Sequence, residues 1–338
     1  MKKIDLISKI NTRRELLLVG LLGVILVVLL IFAPKFFTAG NLDSMAFQAP
    51  EIAFMAIGML IVIITGGIDL SIASTAALSG IVGGLVLRAG NKAGMEDIGL
   101  IFLITISAVI VLLTSLVCGA INGFFIAILK INPTLTTLAT MTLFQGVGIV
   151  ISKGGSISGF PNQFYLLGGG HIVGIPIPLL VLGLAMLVMF LVLKKTAYGR
   201  RLYMIGNNEK VSLFSGVNVR GVTIIAYLWS ALMAGISGLI MISRYNSAKV
   251  DHGSTYLLQV VAIVVLGGAS INGGKGSVAG TGLAMLIMQF ISTGLNLAGG
   301  DRYVVVVLNG VILIGMLLVN RYLDERKMLK EINEMKIR

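Results

Sequence analysis

Two stretches of this sequence have residue types and spacings that can do chemistry: Thr65-Gly66-Gly67-Ile68-Asp69-Leu70-Ser71 and Gly273-Gly274-Lys275-Gly276-Ser277. A glycine-rich turn ending in lysine can cradle phosphates, but the nucleotide pattern needs Ser or Thr directly after Gly-Lys, and Gly276 stands there. We therefore expect no nucleotide site in this chain. Asp69 with Ser71, just ahead of an apolar stretch, fits either of two roles: capping the free amides of a helix start, or contacting an ion or solute in a membrane interior. Its place near the end of an apolar run puts capping first. Glu51 follows Pro50 and reads as an acid in a first helical turn. Neither carboxylate is then placed at a membrane midplane, which argues against an acidic relay for protons or sodium. His171 and His252 fall in connecting segments without metal-ligand spacing. Cys118 is the only cysteine and sits in an apolar run, so no disulfide forms within the chain and redox chemistry is not indicated. The expectation is a protein that is not an enzyme and holds no cofactor.

The remaining polar candidates are neutral. Asn122, Thr136, Thr137, Thr140, Gln145, Gln289, Ser292, Thr293 and Asn296 punctuate otherwise apolar stretches. Thr136 and Thr140 are four apart and share a helix face, as do Gln289 and Thr293. Each alone accounts for an interhelical hydrogen bond worth about 1 kcal/mol in a membrane. Taken together, Asn122, Thr136, Thr140, Gln145, Gln289, Thr293 and Asn296 make a polar lining for an uncharged solute.

These side chains must be held by helices. Hydrophobic residues make up 57% of the 338 and charged residues 12%, against about 25% charged in soluble domains, and the mean hydropathy is +1.00. The fold class is all-α and polytopic: runs such as 16–33, 98–129 and 303–320 lack Asp, Glu, Lys and Arg over the roughly 18 residues a spanning helix needs. They are apolar on every face, unlike barrel strands. About ten spans are expected, at 14–33, 45–65, 70–89, 98–128, 134–153, 175–195, 221–243, 255–270, 277–297 and 303–321. The run 98–129 would be about 48 Å of helix against a core near 30 Å, so a break or steep tilt is expected around Gly119, Asn122 and Gly123. Glycine supplies 43 residues, many within spans, where small side chains let helices approach closely.

A net charge of +12 does not point to nucleic acid, because the basic residues sit at the ends of apolar runs instead of on one face. Most of them fall on one side of the ten-span scheme, which by the positive-inside rule makes that side, with both termini, cytoplasmic. We expect no cleaved signal peptide. The whole chain, 1–338, reads as a single transmembrane domain interrupted by one long inside loop, 194–220. That loop is basic, too short to fold alone, and carries the apolar residues Val211, Leu213 and Phe214, so it needs a partner.

Four blocks carry a resemblance: ITGGIDLSIAS at 64–74, CGAINGFFIAILKINPTLTTLAT at 118–140, AYGRRLYMIGNNEKVSLFSGVNV at 197–219 and VVLGGASINGGKGSVAGT at 264–281. In order and spacing they resemble the permease subunit of sugar-type ABC importers, the family serving ribose, xylose, arabinose and related solutes. The resemblance implies a dimer of permease chains, two cytoplasmic ABC ATPase domains and, in bacteria, a periplasmic or lipid-anchored solute-binding protein, all at the cytoplasmic (inner) membrane. It also implies that 206–216 is the coupling segment, with Gly206, Asn207, Asn208, Glu209, Ser212, Ser215 and Gly216 at its polar and small positions. Where many sugar permeases of this family have Glu-Leu-Asp, this chain has Leu257-Leu258-Gln259. The stretches at 246–258, 160–164 and 175–179 look closer to permeases for autoinducer-2 or rhamnose. The implied function is import of a small neutral sugar or sugar-like solute. The alternatives are an ABC permease for branched-chain amino acids or nucleosides, an ion-coupled secondary transporter, and a non-transporting membrane scaffold.

Overall fold

In lipid a backbone must satisfy its own polar groups, and apolar runs with few breakers do so as helices. The computed structural model describes residues 2–92 and 97–299, with scattered positions between Val304 and Leu318. Its helices are α1 (Lys2–Phe32), α2 (Ala39–Ile64), α3 (Ile72–Lys92), α4 (Asp97–Gly123), α5 (Pro133–Ser152), α6 (Tyr165–Gly169), α7 (Ile177–Lys195), α8 (Ala197–Asn207), α9 (Glu209–Phe214), α10 (Val219–Tyr245), α11 (Tyr256–Leu266) and α12 (Val278–Leu297). Among the described residues eight of them, α1 to α5, α7, α10 and α12, are long and apolar enough to cross a membrane. The chain is a multi-pass all-α membrane protein. Two short antiparallel pairs, β1 (Ile157–Ser158) with β4 (Ser247–Ala248) and β2 (His171–Ile172) with β3 (Ile175–Pro176), tie together the connections at the α6 end of the bundle.

α2 is the axis, with 89% of its spanning window buried, against 11% for α1. It packs on α7, α10, α11 and α12, while α3 and α4 complete the far side of α10. Glycines set the spacing. A Cβ on Gly58 of α2 would meet the Ser230 carbonyl of α10, and one on Gly238 of α10 would meet the Ala76 carbonyl of α3. Gly119 and Gly123 bring α4 against α10 at Tyr227 and Ile224. Backbones can approach this closely only where no side chain intervenes.

Several sequence expectations change here. The predicted span 255–270 is α11, 11 residues or about 16 Å long, half of a hydrocarbon core. Gly267 and Gly268 stop it, the latter at φ +99°, a backbone conformation open to glycine. Pro50 does not start a helix: α2 begins eleven residues earlier and Pro50 lies inside it, so Glu51 is no first-turn acid. Proline costs only the bonds around its own turn, and tertiary packing holds the helix through it. The long run at 98–129 does not break. α4 passes into a π-helical turn, Phe124–Ile128, directly after Gly123, and its glycines serve close packing on α10. The expected span 303–321 lies mostly outside the described residues.

Candidate functional site

The site is built where the bundle is least regular. α2 runs antiparallel to α10, with Gly58 beside Ser230, and α3 runs parallel to it, with Ala76 beside Gly238. Between the end of α2 and the start of α3, residues 65–71 therefore climb about 15 Å alongside α10 without forming a helix. Irregular backbone at membrane depth persists only where protein buries it or where it lines a cavity, and both hold here. Thr137 of α5 donates to the Ile68 carbonyl (2.9 Å), pinning the segment to its neighbour.

At its upper end the segment carries a closed polar network. Asp69 Oδ1 accepts from the Ser71 amide (3.1 Å) and the Ser71 hydroxyl (2.6 Å). Its Oδ2 accepts from the Ser230 hydroxyl (2.7 Å). Asn122 Nδ2 donates to Ser71 Oγ (2.8 Å), and Thr140 Oγ1 donates to Asn122 Oδ1 (2.7 Å). All five side chains are buried. Asp69 thus caps the start of α3 through the Ser71 amide, as its sequence position indicates, and also ties together α3, α4, α5 and α10. Ser230 lies about 16 Å along α10 from Val219, in a helix of about 40 Å. Asp69 is accordingly an interior carboxylate and not one at the bundle's end, which corrects the placement read from the sequence. The apolar runs on both sides of Asp69 hid this, because the chain turns back into the bundle before α3 begins.

Below this network lies a cavity of about 270 Å³, lined by residues that include Gly67, Lys130, Asn132, Glu209, Thr223 and Tyr227. Asn132 caps α5, accepting from the amides of Thr134 and Leu135, and Pro133 fills its first turn, a pairing that fixes where α5 starts. Above the network a cleft of about 20 Å³ is walled by Ser74, Met141, Gln145, Val250, His252 and Leu257 among others. The order cavity, network, cleft runs along two stretches, 67, 69–71 and 74 in the first and 133, 140 and 141–145 in α5, while α10 contributes Tyr227 to the cavity and Ser230 to the network.

The expected path residues divide accordingly. Asn122 and Thr140 meet in the network, and Gln145 lines the cleft. Thr136 is buried but spends its hydroxyl on the Asn132 carbonyl of its own helix (3.0 Å). Gln289 and Thr293 bond each other (3.2 Å) on α12, which packs on α1, α2 and α11, and Asn296 is exposed there; none of the three reaches the network. Sharing a face says nothing about which neighbour that face meets. Two residues of the site, Ser230 and Tyr227, escaped the sequence reading, because a serine and a tyrosine within a 27-residue apolar helix look like packing. Among the described residues the buried Tyr227 hydroxyl has no hydrogen-bond partner.

The other interior charge is Glu51, fully buried, whose carboxylate accepts from Arg244 Nε and Nη2 and from the hydroxyls of Tyr245 and Tyr256. It fastens α2 to α10 and α11 on the cleft side of the bundle.

At the opposite end, the expected coupling segment 206–216 holds the end of α8 and all of α9. α8 ends at Asn207, and Asn208 caps α9 by accepting from the Val211 amide (3.0 Å). Asn207, Asn208, Glu209, Ser215 and Gly216 are exposed. Ser212 is not: it is 1% exposed and donates to the Asn208 carbonyl, so it faces the bundle and cannot meet a partner. The exposed surface of α9 joins the charged Glu209 and Lys210 to an apolar end, with Phe214 89% exposed beside Val211 and Leu213. Gly206 touches the end of α2 so closely that a Cβ would overlap the Ile64 carbonyl. The same carbonyl accepts from the Gly274 amide (2.9 Å). The phosphate-like loop at 273–277 is thereby engaged as a structural turn between α8 and α2, with Tyr203 donating to the Gly276 carbonyl (2.9 Å). Burial raises the Tyr203 phenol to about 12, so it remains a donor. Lys130 and Glu209 pair at the cavity mouth (2.7 Å); both are half exposed, so the pair adds little stability.

Residues 41–317 match the family model described as "Branched-chain amino acid transport system / permease component". The chain is 34% identical over 303 residues to "Ribose import permease protein RbsC" of Bacillus subtilis (strain 168), covering 89% of this chain and 90% of the relative. It is 35% identical over 301 residues to the protein of the same name in Escherichia coli (strain K12), covering 88% and 90%. With "Autoinducer 2 import system permease protein LsrD" of Escherichia coli O9:H4 (strain HS) it shares 31% over 300 residues, 86% of this chain and 88% of that one. No solved structure matches the chain. These matches place the chain, with its interior polar network between cavity and cleft, in the family of transport-system permease components, a transport subunit and not an enzyme.

Proposed function

We propose that this chain is the membrane-spanning permease of an ATP-binding cassette importer that passes a small neutral sugar or sugar-like solute into the cytoplasm. In this reading, 1–338 is one transmembrane domain in a bacterial cytoplasmic (inner) membrane, both termini and the loop 194–220 are cytoplasmic, and a second permease chain completes the pore. The partners are ABC ATPase subunits at α9 and a periplasmic or lipid-anchored solute-binding protein at the α6 end, the latter setting most of the solute specificity. The observation that carries the reading is the succession of cleft, network and cavity along residues 65–74 and α5, with the cavity reaching Ile205 of α8 and Glu209 of α9. ATPase closure on Phe214 and Val211 moves α8, and Gly206 passes the movement to Ile64, where residues 65–71 begin. The relatives named for ribose and for autoinducer 2 favour a polyhydroxylated solute. So does the network, whose hydrogen bonds come from hydroxyls and amides with no Lys or Arg to receive an amino acid's carboxylate.

Interior Asp69 removes the sequence-based argument against ion coupling, and family membership takes its place. The experiment is reconstitution of the chain with its ATPase and binding protein in proteoliposomes, measuring uptake of labelled sugars. Phe214→Asp should abolish ATP-driven uptake while leaving the permease folded, since that side chain is exposed. Wild-type uptake that persists without the ATPase, or that a protonophore alone abolishes, would reject the assignment. Ser212 is unsuitable for this test because its burial confounds docking with folding.

A further inference from the structure

The cavity of about 270 Å³ has a buried floor and an open rim. Of the residues that line it, Gly67, Ile205 and Tyr227 are buried, while Lys130, Ile131 and Glu209 are exposed. Across the rim Lys130 Nζ meets Glu209 Oε1 at 2.7 Å, with side chains 52% and 57% exposed. The two residues are 79 positions apart and belong to different parts of the bundle. Lys130 lies between the π-helical turn that ends at Ile128 and Asn132, the cap of α5. Glu209 is the first residue of α9, the helix given above to the ATPase. The pair is a direct bond between that helix and the connection leading into α5.

Stability does not account for it. An ion pair this exposed adds little, and Lys130 holds its place against its own backbone preference. Its φ is +58°, in the left-handed region that glycine enters freely and other residues enter at a cost. The Leu129 amide bonds the Phe124 carbonyl (3.3 Å) and the Ile131 amide the Phe125 carbonyl (3.2 Å), so Lys130 stands where a helical turn closes, a position that glycine most often fills. A lysine there forgoes an easy backbone and gains a cation on the rim. Strain of this kind clusters at clamps and switches. The stretch it sits in also leads to the site: α5 starts at Pro133, its Thr137 holds the Ile68 carbonyl, and its Thr140 joins the polar network. α9 therefore has a second connection to the network, separate from the one through Gly206 and Ile64.

We propose that Lys130 and Glu209 form a breakable bar across the mouth of the cavity. Paired, they hold the mouth narrow; when ATPase closure carries α9 away, they part, and a sugar-sized solute leaves for the cytoplasm. The weakness of an exposed pair serves this role, since the bar must open and re-form in every cycle. The inference deepens the transport reading above and rests on it for what opens the bar and what passes.

The first arm of the test uses the full chain in lipid nanodiscs. Thr223→Cys places a thiol on the cavity wall, and a charged maleimide reports how fast it is reached. The background is low, because Cys118, the only other cysteine, is buried. Lys130→Glu should raise the labelling rate about tenfold, as the attraction is lost and like charges face each other. The exchange Lys130→Glu with Glu209→Lys should return most of that change. Should Lys130→Glu fold poorly, Lys130→Gly suits the left-handed backbone; it should label faster while its melting midpoint stays at or above the wild-type value. The second arm uses the complex with ATPase and binding protein in proteoliposomes, and whichever of D-ribose, D-xylose and L-rhamnose the wild type carries. Sugar moved per ATP hydrolysed should fall at least about threefold in Lys130→Glu and recover in the exchange. Labelling at the wild-type rate in both single variants, or a wild-type ratio of sugar to ATP in an assembled Lys130→Glu complex, overturns the bar and leaves the transport reading intact. A wild-type complex that carries none of the three sugars counts against that reading, while the labelling arm still decides whether the pair closes the mouth.

Discussion

The Glu51–Arg244 pair gives the most direct test of how the bundle is held. The Glu51 side chain is fully buried, while that of Arg244 is 20% exposed, so the two ends of one ion pair should respond differently to loss of the other. Arg244→Met leaves a carboxylate deep between α2, α10 and α11 with only the Tyr245 and Tyr256 hydroxyls on it. Stranding one member of a buried pair costs about 3–5 kcal/mol. The two remaining hydroxyl bonds hold the estimate near the lower end, about 3 kcal/mol, or roughly a hundredfold in the folded-to-unfolded ratio. Glu51→Leu strands the guanidinium instead, but a long side chain that already reaches solvent can carry its charge outward, so that variant should cost less. Glu51→Leu with Arg244→Met removes both charges, and the double variant should be more stable than the sum of the singles by about 2 kcal/mol or more. Denaturant titration of the purified permease in detergent, run as a double-mutant cycle, measures all three. Single variants that each cost under about 1 kcal/mol and simply add would refute the claim that this pair is a desolvated clamp.

Two further outcomes follow from other parts of the bundle. Gly206→Val should cut ATP-driven uptake severely and lower the melting midpoint, because any Cβ there would overlap the Ile64 carbonyl; wild-type transport in that variant would exclude the junction as a mechanical contact. His252, in the α10–α11 connection, is half-buried, and desolvation followed by the charge of Lys249 lowers its pKa from the ordinary 6.5. The unfolded chain then binds the proton more readily than the folded one, so stability is complete above about pH 6.5 and declines as pH falls from there through the lowered value. The midpoint of the wild type should drop more than that of His252→Gln between pH 7 and pH 5, and equal slopes would refute the assignment.

How much of this was legible in the sequence depended on whether the signal was local. The spanning helices were, since a charge-free run of about 18 residues states its own environment. Asn208 and the Asn132-Pro133 pair start helices through chemistry confined to a few residues, a local signal that the sequence reading did not use. Asn122 and Thr140 stood out as polar groups in apolar helices and do meet. Gln289, Thr293 and Asn296 stood out equally and do not reach them, because one-dimensional spacing fixes a face but not its neighbour. The misread carboxylates share a cause. Glu51 found its partner nearly two hundred residues away, and Asp69 gained its interior position only because 65–71 re-enters the bundle beside α10. Ser230 and Tyr227 gave no sign, since both are ordinary in a packed helix until something polar is placed opposite them.

If α9 takes the push of an ATPase as proposed, the architecture constrains how that push reaches a solute. Bundles packed at glycine distances do not deform gradually, because their backbones have no compressible side chains between them. Movement of α8 must therefore either be blocked at Gly206 or shift the end of α2, and that end is where helical structure stops. Residues 65–71 are free of a helical ladder, so they can take up a displacement that α2 and α3 cannot. Their upper end is held by exchangeable hydrogen bonds from Ser71, Ser230 and Thr137, each worth about 1 kcal/mol. A network of that strength is firm enough to close the way between cleft and cavity at rest. It is also weak enough for ATPase closure to rearrange, and its donors and acceptors are the kinds of group that a passing alcohol can replace one at a time.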